Sequence, residues 1–279
     1  MNNKTVIFNH IPKTAGLTLN SIIEKQYLDK RIFSTLDWKG GRREAIKYFK
    51  NLPESERMKY CLITGHSSLE LFNYLRSPVV LVMFRNPVER VISLYSYVKR
   101  RPRHEFHTIT NHYSLLECYE KNIQNEWKEL SNGMSTSMAG LINKIRIDLI
   151  DENIDKLERT KYFIQKFCLV GLVENFDESL VLFSEYLNWK NNLYYYKKNV
   201  SQGKIDQNEK LKEIILKYNK EDFDLYKFVE NHFLNLVNNQ NSKYQQRVKS
   251  FKLINEFSKP ILLVKNKFYN YMSRYYKTY

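Results

Sequence analysis

The chain has 279 residues, of which 43% are hydrophobic and 14% aromatic, a length that supports one large hydrophobic core or at most two small ones. It carries 45 Lys and Arg against 30 Asp and Glu, a formal net charge of +15, which favours anionic partners: nucleic acid, phosphate-rich cofactors, acidic glycans or membrane surfaces. No apolar run approaches the ~18 residues of a transmembrane helix, and three cysteines without a C-x2-C spacing argue against a disulfide framework and a zinc cluster.

The cellular location is predicted from the same features. Sparse cysteines fit a reducing compartment. The first predicted strand begins almost at the N-terminus, which leaves no room for a signal peptide or an anchor. We therefore expect a cytoplasmic protein.

The first predicted element is a strand that runs into a turn and a helix. Residues 6–8 are a β-prone apolar run too short for a helix, and Pro12 cannot continue a regular ladder because it has no N–H to donate. Apolar residues at helical spacing begin at Leu17. A helix N-terminus with free N–H groups, a Lys charge and two hydroxyls is suited to an anion. An ordinary strand–turn–helix with a surface lysine explains this stretch equally well. The residues concerned are Lys13, Thr14, Gly16 and Thr18.

This turn is not a Walker A loop. That motif has the order Gly-x4-Gly-Lys-Ser/Thr, whereas here a single glycine, Gly16, follows Lys13. The order of these residues therefore disfavours an ATP or GTP hydrolase and a nucleotide kinase.

The next predicted elements are a loop over residues 29–41, a helix over 42–50 and a second buried strand over 60–64. His66 follows the end of this strand, ahead of a short helix that Ser67 or Ser68 could cap. Ligands of open α/β sheets bind at the carboxyl ends of strands, which makes His66 a candidate site residue. A loop histidine with only a structural role is the commoner alternative.

Residues 79–84 form the clearest strand, and their unbroken apolar character predicts burial on both faces. Asn86 and Glu89 have the spacing of a capping box at the start of the following helix. Arg85 lies where the strand passes into the helix, and Ser93 lies about two turns further on. A guanidinium can bind a phosphate with two hydrogen bonds and a hydroxyl can add one. A structural salt bridge for Arg85 and a solvated position for Ser93 are the alternatives.

A dense basic run over residues 99–104 follows at the C-terminal end of this helix. Its positive charge suits the helix dipole, so a solvated cap is the simpler interpretation and contact with an acidic substrate the more specific one. His104, His107 and His112 lack the spacing of metal ligands, and we expect no metal.

The second half of the chain is predicted to be rich in helices. A polar loop over residues 131–137 could contribute to an acceptor site, and residues 167–173 form a fourth buried strand. Asp177 could cap the helix after that strand. The basic, aromatic tail, 260–279, is predicted to pack on the domain, with peripheral contact to an anionic membrane as the alternative. Further helices are predicted over 114–130, 145–165, 178–187, 207–218, 221–238 and 243–257.

Four strand-like runs that alternate with helices predict a parallel α/β sheet with crossover helices. We expect one domain over residues 1–258, followed by the tail 259–279. Three polar clusters each follow a strand: Lys13-Thr14, His66, and Arg85 with Ser93. Each cluster is weak alone, and their common placement in the predicted sheet makes them a candidate site.

The chain resembles the carbohydrate sulfotransferases that use 3′-phosphoadenosine 5′-phosphosulfate (PAPS), in particular the family of heparan sulfate and dermatan sulfate uronyl 2-O-sulfotransferases. The matching residues are His-Ile-Pro-Lys-Thr-Ala-Gly at 10–16, Gly65-His66, Phe-Arg-Asn-Pro-Val-Glu-Arg-Val-Ile-Ser-Leu-Tyr at 84–95, and the stretch 170–180. The resemblance implies a P-loop-like, three-layer α/β/α fold with a mostly parallel central sheet and a helix-rich C-terminal half. It is specific over roughly the first hundred residues.

The resemblance also implies a role for each matched position. Lys13 would contact the 5′-phosphosulfate and stabilise the leaving group, and Arg85 and Ser93 would bind the 3′-phosphate. His66 would be the general base that takes a proton from the acceptor hydroxyl. The 5′-phosphate would be cradled by Thr14, Ala15, Gly16, Leu17 and Thr18.

The position occupied by Leu17 departs from the family, whose loop ends in Ser and Thr residues. Leucine donates no side-chain hydrogen bond, so phosphate contacts there would rely on backbone N–H groups and the Thr18 hydroxyl. The acceptor implied is a carbohydrate, including acidic polysaccharides, and no metal is required. A non-catalytic basic module that binds acidic glycans or nucleic acid is the alternative, although the chain has no recognisable nucleic-acid motif.

Overall fold

A computed structural model describes residues 4–36, 38–146, 154–195 and 208–257 of the chain. Five strands form one sheet in the order β2-β3-β1-β4-β5, and every pair of neighbours is parallel. This confirms the predicted parallel α/β class. The strands are β1 (Val6–Asn9), β2 (Arg31–Ser34), β3 (Tyr60–Gly65), β4 (Val79–Phe84) and β5 (Cys168–Leu172).

Helices surround this sheet and dominate the second half of the chain, as predicted. Among the described residues no helix is long and apolar enough to cross a membrane. Short 3-10 helices cover Ser68–Tyr74, Ile123–Asn125 and Lys128–Leu130, and residues 242–257 are also helical. The remaining helices are α1 (Gly16–Gln26), α2 (Gly41–Asn51), α3 (Glu54–Arg57), α4 (Pro87–Lys99), α5 (His107–His112), α6 (Leu115–Glu120), α7 (Gly133–Ile142), α8 (Lys156–Phe167), α9 (Phe176–Tyr186), α10 (Glu209–Tyr218) and α11 (Lys220–Asn238).

Burial along the inner strands shows that both faces of the sheet are covered. All four residues of β1 and all five of β5 are buried, although successive side chains of a strand point to opposite faces. The main hydrophobic core therefore lies on the two sides of the sheet, as the predicted three-layer arrangement requires. A smaller cluster surrounds the buried Trp127 and joins α4, α6 and α10.

Residues 29–41 were predicted as a loop, and that prediction is wrong for 31–34, which form the edge strand β2. The strand is short, and it begins and ends with the polar residues Arg31 and Ser34. Only Phe33 is buried, and it pairs with Ile63 of β3. An edge strand this polar has the composition of a turn-rich loop, so pairing with β3 and not local sequence defines it.

The polar segment 131–137 is not a loop, because helix α7 begins at Gly133. The Asp222 carboxylate of α11 accepts hydrogen bonds from the N–H groups of Met134, at 3.1 Å, and Ser135, at 2.7 Å. The buried Arg90 of α4 lies 3.9 Å from the same carboxylate. The helix start is therefore fixed by a residue about ninety positions further along the chain.

The predicted helix over 114–130 is interrupted, since α6 ends at Glu120 and two 3-10 turns follow. In the region predicted as a helix over 145–165, α8 begins only at Lys156, and residues 147–153 lie outside the described residues. The tail 259–279 also lies outside them, so its packing and its membrane contact stay predictions.

Three predicted caps have different outcomes. Asn86 is confirmed as the cap of α4, since its side chain accepts from the N–H groups of Val88 and Glu89, while its own N–H donates to Glu174. Neither Ser67 nor Ser68 caps a helix by its side chain, and the Ser68 hydroxyl donates to a β1 carbonyl. Asp177 lies inside α9 and accepts from the Tyr195 hydroxyl.

Candidate functional site

The three predicted clusters come together at the carboxyl edge of the sheet. Strand β1 lies between β3 and β4, so the residues that follow these three strands are neighbours. The His10 N–H donates to the Gly65 carbonyl at 3.1 Å, and the Arg85 Nη1 donates to the Lys13 carbonyl at 3.4 Å. The sheet order thus unites residues that are up to 75 positions apart in the chain.

The turn after β1 is built from two residues with left-handed backbone. Lys13 has φ 70° and Ala15 has φ 60°, and the Thr14 hydroxyl donates to the Ile11 carbonyl at 2.9 Å. The Thr18 N–H donates to the Ala15 carbonyl at 3.0 Å. The N–H groups that precede Thr18 at the start of α1 have no acceptor within the helix, as is general for a helix N-terminus. They are suited to bind an anion.

The imidazole of His66 is oriented by a backbone carbonyl. Its Nδ1 lies 2.7 Å from the His10 carbonyl oxygen, which can only accept a hydrogen bond, so Nδ1 carries the proton. The other nitrogen, Nε2, is left with its lone pair. Burial lowers the pKa of His66, the bond to His10 raises it, and of the nearby charges Arg42 lowers it and Glu129 raises it. The net shift is downward, so His66 is mainly neutral at pH 7.

His10 was not predicted to have a role beyond its place in the matched motif. Its ring stacks on the His66 ring with centroids 4.5 Å apart and an interplanar angle of 19°. The side chain is buried, and its Nδ1 has no hydrogen-bond partner among the described residues. Burial, His66 and Lys13 lower the pKa of His10 to about 3. The sequence signal for this residue is its position directly after a buried strand and two residues before the Pro-Lys turn.

Lys13 lies in a cluster of cations. Its Nζ is 4.1 Å from the centre of the Tyr97 ring, and Arg101 lies over the same ring at 5.2 Å. Burial lowers the pKa of Lys13 to about 8, with further lowering by Arg100, Arg85 and Arg101. Two arginines of the basic run 99–104 are therefore close to Lys13, and both are exposed.

Arg85 is mostly buried and only partly paired. Its Nη2 is 3.5 Å from Glu89, and its Nε is buried without a hydrogen-bond partner among the described residues. Burial lowers the pKa of Arg85. Ser93 is half-buried on α4, and within the described part of the chain no hydrogen bond joins it to Arg85. The structure therefore brings Arg85 to Lys13 directly, whereas Ser93 lies on α4, the helix that follows Arg85.

Two further predicted site residues occupy different environments at the start of α1. Gly16 is buried, and a Cβ atom added to it would lie 1.8 Å from Cδ2 of His10. Leu17 is half exposed, with 48% of its surface accessible. No group of His, Cys, Asp and Glu side chains in the described ranges could hold a metal ion.

A cavity of about 610 Å³ opens at the opposite, amino-terminal edge of the sheet. Its lining includes Lys4, Val79 and Cys168, at the starts of three strands, and contains none of the predicted site residues. The candidate chemistry is therefore at the other edge, where the polar clusters converge.

The fold and this edge define a parallel α/β protein with a cationic turn next to an oriented imidazole. No protein-family model matches the chain, and no curated protein does. Among solved structures, the chain is similar to mouse sulfotransferase SULT7A1 complexed with PAP, with 12% sequence identity and a TM-score of 0.38. The alignment covers 90% of this chain and 84% of that one. A likeness this distant assigns no residue role, so the function is argued from the site itself.

Proposed function

We propose that the protein is a PAPS-dependent sulfotransferase that transfers a sulfuryl group to a hydroxyl of a carbohydrate, with His66 as the general base. The observation that carries the proposal is the meeting of an oriented, neutral imidazole with the cationic Lys13 turn at one edge of the sheet. Arg85, which directly follows β4, adds a second cation at the same edge.

The residues of the site fit an anionic nucleotide. Lys13 is half-buried, and three nearby arginines lower its pKa, so the cluster has excess positive charge that a phosphate would compensate. The Nε of Arg85 is a buried donor without a partner among the described residues, and the start of α1 offers N–H groups. When bound, PAPS supplies an activated sulfuryl group that passes to the acceptor oxygen and leaves the 3′,5′-bisphosphate behind.

His66 has the geometry and the protonation state of a general base. Its Nδ1–H is held by the His10 carbonyl, so Nε2 is free to accept the proton of an acceptor hydroxyl. Its lowered pKa keeps it unprotonated at neutral pH. Lys13 is the residue for stabilising negative charge on the departing phosphate, a role that a positioned ammonium performs in related phosphoryl transfers.

The remaining assignments follow the resemblance of the sequence motifs. Arg85 and Ser93 bind the 3′-phosphate, and Thr14, Ala15, Gly16, Leu17 and Thr18 surround the 5′-phosphate. The carbohydrate acceptor also comes from that resemblance, and the formal net charge of +15 supports an acidic one. We propose a cytoplasmic location, which the small number of cysteines supports.

Transfer of radiolabelled sulfate from PAPS to a panel of glycans and small acceptors tests the proposal, with products identified by mass. His66→Ala should lower kcat by about 10²–10⁴-fold, because proton transfer to the base is lost. Its affinity for the desulfated cofactor, PAP, should stay near that of the parent. The exposed His112 provides the control, since His112→Ala should change neither.

Arg85→Ala should instead weaken PAP binding by about 10–100-fold, as expected when a charged hydrogen bond of about 1.5–3 kcal/mol is lost. Arg76→Ala is the matched control, because Arg76 is exposed and pairs with Glu54 on the surface. Absence of both sulfate transfer and PAP affinity would reject the enzyme. Salt-sensitive binding of acidic polysaccharide by such a protein would establish the non-catalytic basic module instead.

A further inference from the structure

We propose that His10 is a positioning residue that holds the His66 ring in its reactive orientation and ties it to the phosphate-binding turn at Gly16. The effect of His10 on catalysis rests on the proposed function, in which His66 is the general base. Its structural content, the orientation of the His66 ring, is testable without any sulfate transfer.

Three rings form a continuous stack that begins in the core. The ring centroids of Phe8, on β1, and His10 are 6.0 Å apart, and the interplanar angle is 13°. The ring centroids of His10 and His66 are 4.5 Å apart. Residues 8 and 10 are two positions apart, so their side chains point to the same face of β1 and its extension. Phe8 is almost fully buried, which anchors the stack. The His66 ring therefore rests on a flat surface that the core keeps in place.

The backbone of His10 fixes the remaining freedom of His66. Its carbonyl accepts the Nδ1–H at 2.7 Å, and its N–H donates to the Gly65 carbonyl at 3.1 Å, next to His66. One residue thus sets the position of the ring plane through its side chain and the rotation of the ring in that plane through its carbonyl.

The edge of the His10 ring occupies the space next to Gly16 that a Cβ atom would take. A Cβ at Gly16 would meet Cδ2 of His10 at 1.8 Å and Nε2 at 1.9 Å. The ring is consequently packed between His66 and the first residue of α1. Through this contact, the base and the anion-binding turn keep a fixed separation.

His10 suits this place because it stays neutral beside a group that gains a proton. Burial, His66 and Lys13 keep its pKa near 3, so His10 stays neutral while His66 takes up and releases its proton. The charged and titratable groups that act on His66 are His10 from the β1 turn, Arg42 from α2 and Glu129 from the 3-10 turn before α7.

The test compares His10→Phe, which keeps a flat ring, with His10→Ala, which removes it. NMR of protein with labelled histidine gives the tautomer and the pKa of His66 in each variant, and His112→Phe is the control at an exposed histidine. His10→Phe should keep the Nδ1–H tautomer, the His66 pKa and kcat within about threefold of the parent. His10→Ala keeps the backbone carbonyl but removes the surface that supports the His66 ring plane, so the ring should tilt, the Nδ1–H···O bond should weaken and the tautomers should mix.

In His10→Ala water reaches His66, so its pKa should rise towards about 6.5 and the acid limb of kcat/KM should move to higher pH. We expect kcat to fall by about 10–100-fold through misplacement of the base, while the Kd for PAP stays within about twofold. If His10→Ala does not fold, His10→Leu replaces it, since leucine fills the space but offers no flat face.

Two results would overturn the proposal. One is an unchanged His66 tautomer and pKa in the variant without a ring. The other is a His10→Phe protein as inactive as His10→Ala although its His66 is unaltered, which would mean that a nitrogen of His10 itself takes part. If even the parent transfers no sulfate, the NMR comparison still decides whether His10 orients His66, so failure of the proposed function remains distinguishable.

Discussion

Substitution of Gly16 by alanine is a sharp test of the packing at the start of α1. The new methyl group would lie 1.8 Å from Cδ2 of His10, and the ring would have to retreat by roughly 1.5–2 Å to reach ordinary contact. Its retreat is restricted, because the His10 side chain is buried and its ring stacks with the rings of both His66 and Phe8. We expect overpacking to lower the free energy of unfolding by about 1–3 kcal/mol.

The same displacement should be visible in activity. A shift of about 1 Å in a catalytic group can reduce the rate by about 10²-fold, and the His10 ring supports the base. Urea unfolding gives the stability, and initial rates of sulfate transfer give kcat.

Gly140→Ala is the matched control, because a Cβ at this exposed helical glycine meets no atom within 4 Å. It should raise the free energy of unfolding by up to about 1 kcal/mol through helix propensity and leave kcat unchanged. A Gly16→Ala protein with the stability and kcat of the parent would refute the packing of His10 against Gly16.

Two further predictions concern buried charge. Asp222→Ala should lower the free energy of unfolding in urea by about 3–5 kcal/mol, because it removes the acceptor for two N–H groups of α7 and leaves the buried Arg90 unpaired; a loss below 1 kcal/mol would contradict this. PAP should bind more weakly as the pH rises from about 7 to 9, because Lys13, with a pKa of about 8, loses its charge over this range. In calorimetry Lys13→Arg, which stays charged, should show a flatter pH dependence, and equal slopes for the two proteins would remove Lys13 from the site.

The predictable part of the fold was set by local sequence. Four of the five strands are rich in apolar residues, and the α4 cap uses a local signal at Asn86 that the structure confirms. Strand β2 was missed because an edge strand needs only one partner and tolerates polar residues. The start of α7 was missed because its first N–H groups donate to Asp222, from a helix far along the chain.

The residues of the candidate site could be selected from the sequence, but the contacts between their side chains could not. Placement after consecutive strands was enough to select Lys13, His66 and Arg85, since the carboxyl ends of parallel strands share one edge. The stack of His10 on His66 and the approach of Arg100 and Arg101 to Lys13 depend on side-chain packing between separate loops. No spacing in the sequence encodes such contacts, so they became visible only in three dimensions.

The order of the strands also governs how the chain folds during synthesis. Strands β1, β3 and β4 pair with one another within the first 84 residues, but Val80 of β4 meets Cys168 of β5 only after the long segment between them has been made. At the usual rate of translation, this interval is on the order of ten seconds. Until then the apolar strand β4 is an unpaired edge, the kind of surface that promotes association between chains. The segment that contributes α7 and Glu129 to the surroundings of the site therefore prolongs the time during which this edge of β4 is exposed.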